Sequence, residues 1–495
     1  MTVPVVVMGA GPAGLTAGYE LANRGCRCVI LEKDAACGGL ARTFEYKGHL
    51  FDLGGHRFYT KVALVERIWR EVLGDDLLTR KRLSRIYYRG RYFHYPLEPV
   101  DVVRGLSVTE IVRCCASYAK AHLFPARPEE DLETWVCNRF GRRLFDIFFK
   151  TYTEKVWGIA CKQIHADWAA QRIGRLSMLS LARSVLPARR DERGEMRTLI
   201  REFLYPRRGP GMMWSRMQSI VAGRGSAVLL NTPVDKILWK QGRVEAVLAD
   251  GRRYEAGNFI SSIPIRELIQ KLDPPPPDWL QDAASHFHYR DFLTVGLIVR
   301  GKNPFPDNWI YVHDPAVAVG RIQNYANWSP EMSPIPGEVN LGMEYFCFQG
   351  DSLWSIDDQE LIRRARKELA QLRLVEEPAV VDGMVLRVPK AYPVYDESYQ
   401  RGLKAIREFL KDVPNLQLVG RNGMHRYNNQ DHSMLTAIMA ARNILGARYD
   451  LWDLQLDADY LERGPVITEE EIQALDLTQP LTPQGLAEHA RGGRV

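Results

Sequence analysis

Gly9, Gly11 and Gly14 stand in the spacing G-x-G-x-x-G, directly after the apolar run at residues 5–8. Glu32 closes the next apolar run, Cys28–Leu31. This is the chemistry of dinucleotide binding. The first glycine permits a tight turn, the second lets a pyrophosphate approach the backbone, and the third lets a helix pack on the strand. The helix N-terminus then offers free N–H groups to the phosphates, and Glu32 can accept a ribose hydroxyl. A second set lies in the middle of the chain: Arg172 in DWAAQRIGR, Arg321 in VGRIQNYANWSP and Tyr392 in KAYPVYD. Guanidinium groups grip phosphate in a bidentate way. A nucleoside diphosphate would need one or two such arginines and would gain from tyrosine hydroxyls. Any one of these arginines, taken alone, reads first as a solvated surface charge.

The elements that must position these residues follow from local pattern. VPVVVMGAGPAGLTAGYELANRGCRCVILEK reads as strand, glycine turn, helix and strand. Gly38, Gly39 and Arg42 form a second glycine-rich loop, and FDLGGHRF (51–58) follows it. NLQLVGRNGMHRYNNQDHSMLTAIMAARNIL reads as a strand, a polar turn and a helix. RLSRIYYRGRYFHYP (82–96) alternates about Arg89 and Gly90, as a hairpin does. The expected fold class is α/β: a Rossmann-like dinucleotide-binding domain with an inserted helical subdomain and an antiparallel-sheet substrate domain. The expected division gives residues 1–99, 206–290 and 401–450 to the dinucleotide domain, the hairpin included. Residues 100–205 form the helical subdomain, 291–400 the sheet-rich substrate domain and 451–495 a peripheral tail.

Composition bounds the function. A chain of 495 residues can bury a core large enough for two or three subdomains. With 46% hydrophobic and 25% charged residues, disorder is not expected. A net charge of +6 is too dilute to imply nucleic-acid binding. No run of about 20 apolar residues exists, so no membrane-spanning helix is expected. The first residues enter the dinucleotide strand directly, which argues against a signal peptide and for a cytoplasmic protein. The eight cysteines form no C-x-x-C pair, so reduced thiols and no metal site are expected. There is no internal repeat, and nothing in the sequence fixes the oligomeric state.

Taken in order, FDLGGHRFYTK, RLSRIYYRGRYFHYP, FFKTYTEKVWGIA with WAAQRIGR, YPRRGPGMMW, GRIQNYANWSP, AYPVYD and GRNGMHRYNNQDHS join the glycine turn in one pattern. The chain thereby resembles the UDP-galactopyranose mutase family in its eukaryotic form, from residue 5 to about 446. That family lies within the superfamily of FAD-dependent amine oxidases and protoporphyrinogen oxidases. The resemblance implies FAD as the dinucleotide, held by Gly9, Gly11, Gly14, Glu32, Gly38, Gly39, Arg42, Gly55, His56, Gly420, Arg421, Asn429, Gln430 and Ser433. It implies an isomerase that interconverts six- and five-membered ring forms of a nucleotide-bound hexose, with N5 of reduced FAD as nucleophile and no net redox change. Arg172 and Arg321 would grip the diphosphate. Tyr392, Tyr427 and Asn429 would line the same site, and His56 would sit beside the flavin. Tyr95, Phe148 and Trp157 would serve substrate binding. NADPH would reduce the flavin directly at Arg82, Ser84, Tyr95, Tyr311, Arg421 and Ser433.

Two positions depart from the family's base pocket: a glutamine is replaced by Glu98 and an asparagine by Thr153. An ionised carboxylate only accepts hydrogen bonds. Guanine offers it two adjacent N–H donors and uracil one, so a GDP-sugar is the first expectation and a UDP-sugar the second. Alternatively, Glu98 faces solvent and says nothing about the base. Residues 177–204 also depart from the family, which leaves the hexose open, and a stretch around 175–212 is a candidate lid. The main rival function is an FAD-dependent oxidase or desaturase of the same superfamily. A nucleotide-binding sensor without turnover is the other.

Overall fold

Val5, Val6, Val7 and Met8 are wholly buried, as the continuous apolar run requires. Their strand, Thr2–Met8, lies inside an eight-stranded sheet and pairs in parallel with Cys28–Leu31 on one side and Arg252–Ser261 on the other. The computed structural model describes residues 2–95, 97, 99–166, 202–396, 398–452 and 467–475. Arg172, Glu98 and most of the 175–212 stretch lie outside the described residues. Beyond Cys28–Leu31 the sheet adds Ala227–Leu229 in parallel, and beside Ser261 it adds Leu416–Leu418. The first half of Arg252–Ser261 pairs with the antiparallel hairpin Val234–Lys240 and Arg243–Ala249. Segments far apart in sequence thus build one sheet. Helices Pro12–Asn23, Gly211–Gly223 and Gln430–Ile444 pack together beside it. Gln430–Ile444 is buried from Asp431 to Arg442, so it is a core helix and not an amphipathic one.

The second sheet has seven strands, in the order Val380–Pro393, Tyr289–Arg300, Glu338–Cys347, Arg321–Asn324, Trp309–Val312, Ser84–Tyr88 and Arg91–His94. Its neighbours are antiparallel except Trp309–Val312 with Ser84–Tyr88, which run parallel. The hairpin turns through Arg89 and Gly90, both left-handed (φ 49° and 78°), the turn whose twist suits two strands. It forms the edge of this second sheet, not part of the dinucleotide sheet.

Between the hairpin and residue 166 the chain is helical. Pro99–Gly105, Val108–Leu123, Leu132–Phe140 and Arg142–Phe145 lead through a π-turn at Asp146–Lys150 into Thr151–Trp157. Ser107 and Asp131 cap two of these helices by accepting from the N–H groups of Glu110 and Thr134. Gly158, at φ 69°, ends the last one. Near the far end of the sequence, Ile467 bridges to Val62, and a capping box at Thr468 and Glu471 starts Glu469–Ala474, whose Ile472 is buried. No described helix is long and apolar enough to cross a membrane, and all eight cysteines are unpaired.

Candidate active site

The dinucleotide cradle is a place where side chains do not fit. A Cβ on Gly14 would lie 1.8 Å from the Gly9 carbonyl oxygen, and one on Gly39 would lie 3.1 Å from Gly11 Cα. The two glycine loops therefore touch through bare backbone. Gly9 is at φ 100°, which only glycine adopts without strain. Glu32 is buried and accepts from the N–H groups of Ala10 (2.7 Å) and Asp34 (3.0 Å), which fixes its carboxylate beside the turn. Arg42 bonds the Gly39 carbonyl at 3.0 Å and pairs with Asp34 at 3.0 Å, holding the second loop shut. Gly420, at φ 78°, backs onto Ala13 of the first helix. Asn429 is the N-cap of Gln430–Ile444 and bonds none of the helix's free N–H groups with its side chain. Gln430 Oε1 and Trp214 Nε1 are buried without a hydrogen-bond partner, and Trp214 lies against Gly38. Bare loops, an open helix end and orphaned polar atoms suit a polar group bound against backbone.

The second sheet meets this cradle at the loop holding Gly54, Gly55 and His56. A Cβ on Gly55 would lie 2.5 Å from Gln323 Nε2, and Gly54 lies against Arg321 and Glu344. Arg321 and Glu344 face each other across antiparallel strands. The guanidinium donates to Glu344 through Nε at 2.7 Å and Nη2 at 2.5 Å, and Gln323 donates to the same carboxylate at 2.9 Å. Glu344 is fully buried, so the pair is desolvated. Arg321 is held above its ordinary range: burial, the largest single effect, lowers it, but Glu344 together with the phenols of Tyr392, Tyr152 and Tyr311 outweighs that.

His56 is pushed down to about 4, first by burial and then by the charges of Arg421 and Arg321. Nε2 lies 2.8 Å from the Leu53 carbonyl, which can only accept, so the neutral ring carries its proton there. Arg421 donates to the carbonyls of Asn428 (2.8 Å) and Ala391 (3.0 Å). Its guanidinium lies 4.7 Å from the Tyr427 ring centre and 5.6 Å from that of Tyr392. These two tyrosines stack at 5.5 Å and 16°, and Trp157 leans on both. Burial, then Tyr427, raise Tyr392 above the usual phenol range.

The structure therefore gathers Arg321, Tyr392, Tyr427, Trp157, His56 and Arg421 about one region, next to the glycine loops. Arg82, Ser84, Tyr95 and Tyr311 form a second cluster towards the edge of the second sheet, joined to the first through Tyr311, which pairs with Arg321 across neighbouring strands. There Arg82 donates to the Tyr95 carbonyl (3.0 Å) and lies 5.4 Å from the Tyr95 ring centre, and Tyr95 packs on Tyr311 at 4.8 Å. Arg421 and Ser433 belong to other elements, in and after the 420–429 turn. Phe148 is buried against Phe93 and Tyr88, whereas Tyr95 is 44% exposed. Thr153 is buried in Thr151–Trp157.

Sequence reasoning missed Glu344, Gln323 and Tyr152. Tyr152 stacks on His313 at 4.9 Å and meets Tyr311 edge-on at 5.3 Å. Glu344 left one signal: it is a lone acid in the apolar run NLGMEYFCF, and such an acid needs a buried partner.

Among solved structures, reduced UDP-galactopyranose mutase is similar with a TM-score of 0.79 and 22% identity, over 90% of this chain and 94% of that one. Putrescine oxidase bound to putrescine is similar with a TM-score of 0.60 and 18% identity, over 90% and 99%. At these identities the likeness shows a shared fold. A protein of Mycobacterium tuberculosis (strain CDC 1551 / Oshkosh) assigned as flavin-containing monoamine oxidase AofH is 28% identical over 299 residues, 58% of this chain and 62% of its own length. L-amino-acid oxidase of Crotalus adamanteus is 43% identical over 89 residues, 18% and 16%. The chain thus spans less than two thirds of the length of these curated relatives. Residues 12–445 match the flavin containing amine oxidoreductase family, a span that runs from the first helix of the cradle to the end of the last. With FAD as the dinucleotide its glycine loops suit, the chain belongs to the flavin containing amine oxidoreductases.

Proposed function

We propose that the protein is a flavin-dependent nucleotide-sugar mutase, interconverting pyranose and furanose forms of a GDP- or UDP-galactose-like hexose without net redox change. The observation that carries this reading is charge. Arg321 and Arg421 both act on His56, and both border the Tyr392 and Tyr427 pair. Glu344 balances Arg321, while Arg421 bonds only carbonyls and leaves the region net positive. A diphosphate gains there; a protonated amine is repelled. The likeness to reduced UDP-galactopyranose mutase is further support.

Reduced FAD, when bound, supplies a nucleophilic nitrogen. The chain's residues do the rest. Arg321, joined by Arg172, holds the diphosphate as it leaves the sugar and returns. Arg321 turns Nε and Nη2 to Glu344 and keeps Nη1 for the ligand. Tyr392, Tyr427 and Asn429 line the sugar's path, and Trp157 excludes water beside them. His56 serves as a neutral ring. Arg82, Ser84, Tyr95 and Tyr311, with Arg421 and Ser433 on the flavin side, would hold NADPH, which would supply the reducing electrons. Glu98 favours guanine over uracil, and Tyr95, Phe148 and Thr153 belong to the base side. In this reading residues 1–99 apart from the hairpin and Glu98, with 206–290 and 401–450, serve the cofactor, 100–205 and 291–400 serve the substrate, and the enzyme works in the cytoplasm.

The test is an anaerobic assay of the yellow holoprotein with NADPH, then GDP-galactose or UDP-galactose in separate tubes. A product of unchanged mass, formed without continuing NADPH use, is expected, and the productive tube names the base. Arg321→Ala is expected to lose most turnover with the flavin spectrum intact; unchanged turnover removes its role. A second reading, an oxidase, is favoured by the names of the curated relatives and by the aromatic faces of Trp157, Tyr392 and Tyr427, which can attract ammonium. Arg421 already lies over two of those rings. Oxygen consumed in step with product would establish the oxidase instead.

A further inference from the structure

The helix Thr151–Trp157 brings Tyr152 and Trp157 to the site, and two further cations hold it, the buried Arg290 and the half-buried Lys155. Lys155 Nζ donates to the carbonyls of Val312 (3.2 Å), Asp314 (2.7 Å) and Val319 (3.1 Å). An ammonium has three N–H donors, and here each has an acceptor. Those carbonyls belong to the loop that leads from Tyr311 to Arg321. Arg290 grips the other end. It donates to the carbonyls of Val156 (3.1 Å) and Lys155 (3.2 Å) in the last helical turn, and to Phe346 (2.9 Å) on the strand that carries Glu344. A Cβ on Gly158 would lie 2.4 Å from the guanidinium, so the helix stop and the arginine are fitted to each other.

The two anchors differ. Arg290 caps a helix end, a task open to any C-terminal cation. Lys155 joins the helix to a loop that has no other regular pairing to it. The rings on either side of the joint are in contact: Tyr152 with Tyr311 and His313, and Trp157 with Tyr392 and Tyr427.

We propose that Lys155 is a positioning residue whose ammonium fixes the helix Thr151–Trp157 against the loop 312–321, and so sets Tyr152 and Trp157 relative to Arg321. The proposal rests on the reading of Arg321 and its aromatic neighbours as a ligand site. It explains why a lysine sits in an apolar setting: a neutral side chain could not bind three carbonyls, and an ammonium lacking any of them would be costly to bury.

The arrangement carries a pH signature. Burial lowers Lys155 to about 8, although Glu368 and Asp314 act to raise it. Of the other titratable groups packed here, His313 is held to about 3 by burial and by Lys155 itself, and Tyr152 is raised well above the usual phenol range. Glu368 accepts from the N–H groups of Ala318 and Val319 on the same loop. Lys155 is therefore the group in this cluster that loses its proton between pH 7 and 9. A lysine lowered by folding releases its proton first in the folded state, so its contribution to stability rises from pH 8 to 10.5. Any loosening in that window is a loss of positioning, not unfolding.

The experiment uses the flavin-bound full chain as wild type, Lys155→Met and Lys155→Arg. UDP and GDP binding is measured by titration calorimetry at pH 7 and pH 9, alongside near-ultraviolet circular dichroism, which reads the packing of Tyr152 and Trp157. Wild type is expected to bind more weakly at pH 9 and to change its aromatic spectrum. Lys155→Met is expected to bind on the order of tenfold more weakly at both pH values, with the pH 9 aromatic spectrum already at pH 7. Lys155→Arg, charged throughout, is expected to stay tight at pH 9. An aromatic spectrum unchanged by either pH or Lys155→Met overturns the proposal, whether or not a nucleotide binds. A normal aromatic response with no binding of either nucleotide to wild type overturns the ligand-site reading instead.

Discussion

The two sides of this site are built by opposite means. On the dinucleotide side the protein works with backbone: Gly9, Gly11, Gly39 and Gly420 bring main chain to main chain, and the charged groups Glu32 and Arg42 mostly hold loops. About the second sheet the protein works with side-chain charge held from water: Arg321 on Glu344, Arg290 on three carbonyls and Lys155 on three more. Backbone contacts fail by steric overlap, which is abrupt. Buried charges fail by losing a partner, which costs a definite amount of free energy. The contrast can be tested from its largest effect to its smallest.

Gly14→Ala should abolish the cradle. Its methyl group would lie 1.8 Å from a backbone oxygen that cannot move aside. A destabilisation of about 3 kcal/mol or more, with no flavin retained on purification, is expected. Yellow protein from this variant would mean that the two glycine loops can part. Glu344→Ala should leave the cation of Arg321 buried and alone, at a cost of about 3 to 5 kcal/mol in urea unfolding. A loss below about 1 kcal/mol would show that water reaches Arg321 and would erase the contrast.

Acid sharpens the comparison. Burial lowers His425 to about 4 and His313 to about 3, from 6.5. Each is neutral in the folded state where the unfolded chain has taken up a proton. Their contribution is complete above pH 6.5 and is lost as pH falls towards 4 and 3, at up to about 1.4 kcal/mol per pH unit for each histidine. Asp52 opposes this: burial raises it to about 7, so its contribution falls as pH rises from 3.8 to 7. Unfolding curves at pH 4.5 and pH 7 should therefore differ less in His425→Asn than in wild type; an unchanged difference would assign the acid loss to other groups. At the small end, Lys47 pairs with Asp382 in the open. Lys47→Met should leave the unfolding midpoint where it is. A measurable drop would mean that exposed pairs stabilise this protein as buried ones do.

The same contrast explains what could be read from the sequence. The apolar run at 5–8, the glycine spacing, the left-handed Arg89 and Gly90 turn and the polar turn before Gln430 are local, because each is fixed by neighbours a few residues away. The partner of Arg321 was hidden because Glu344 becomes its neighbour only when two strands pair in one register. Lys155 was hidden likewise: its acceptors are carbonyls, which leave no trace in residue type. The hairpin at 82–96 was legible as a hairpin but not as the edge of the second sheet, since its parallel bond to Trp309–Val312 depends on the whole chain. A lone acid in an apolar strand is the one trace that such pairs leave.

The order of strands in the dinucleotide sheet bears on how the protein is made. Arg252–Ser261 takes its partner Leu416–Leu418 from a part of the chain synthesised long after it. At ribosomal rates of about 5 to 20 residues per second, that edge stands unpaired for many seconds on every nascent chain. An open, apolar strand edge is a template for other chains. Expression at lower temperature, or with more chaperone, should therefore raise the yield of soluble protein without altering the finished enzyme.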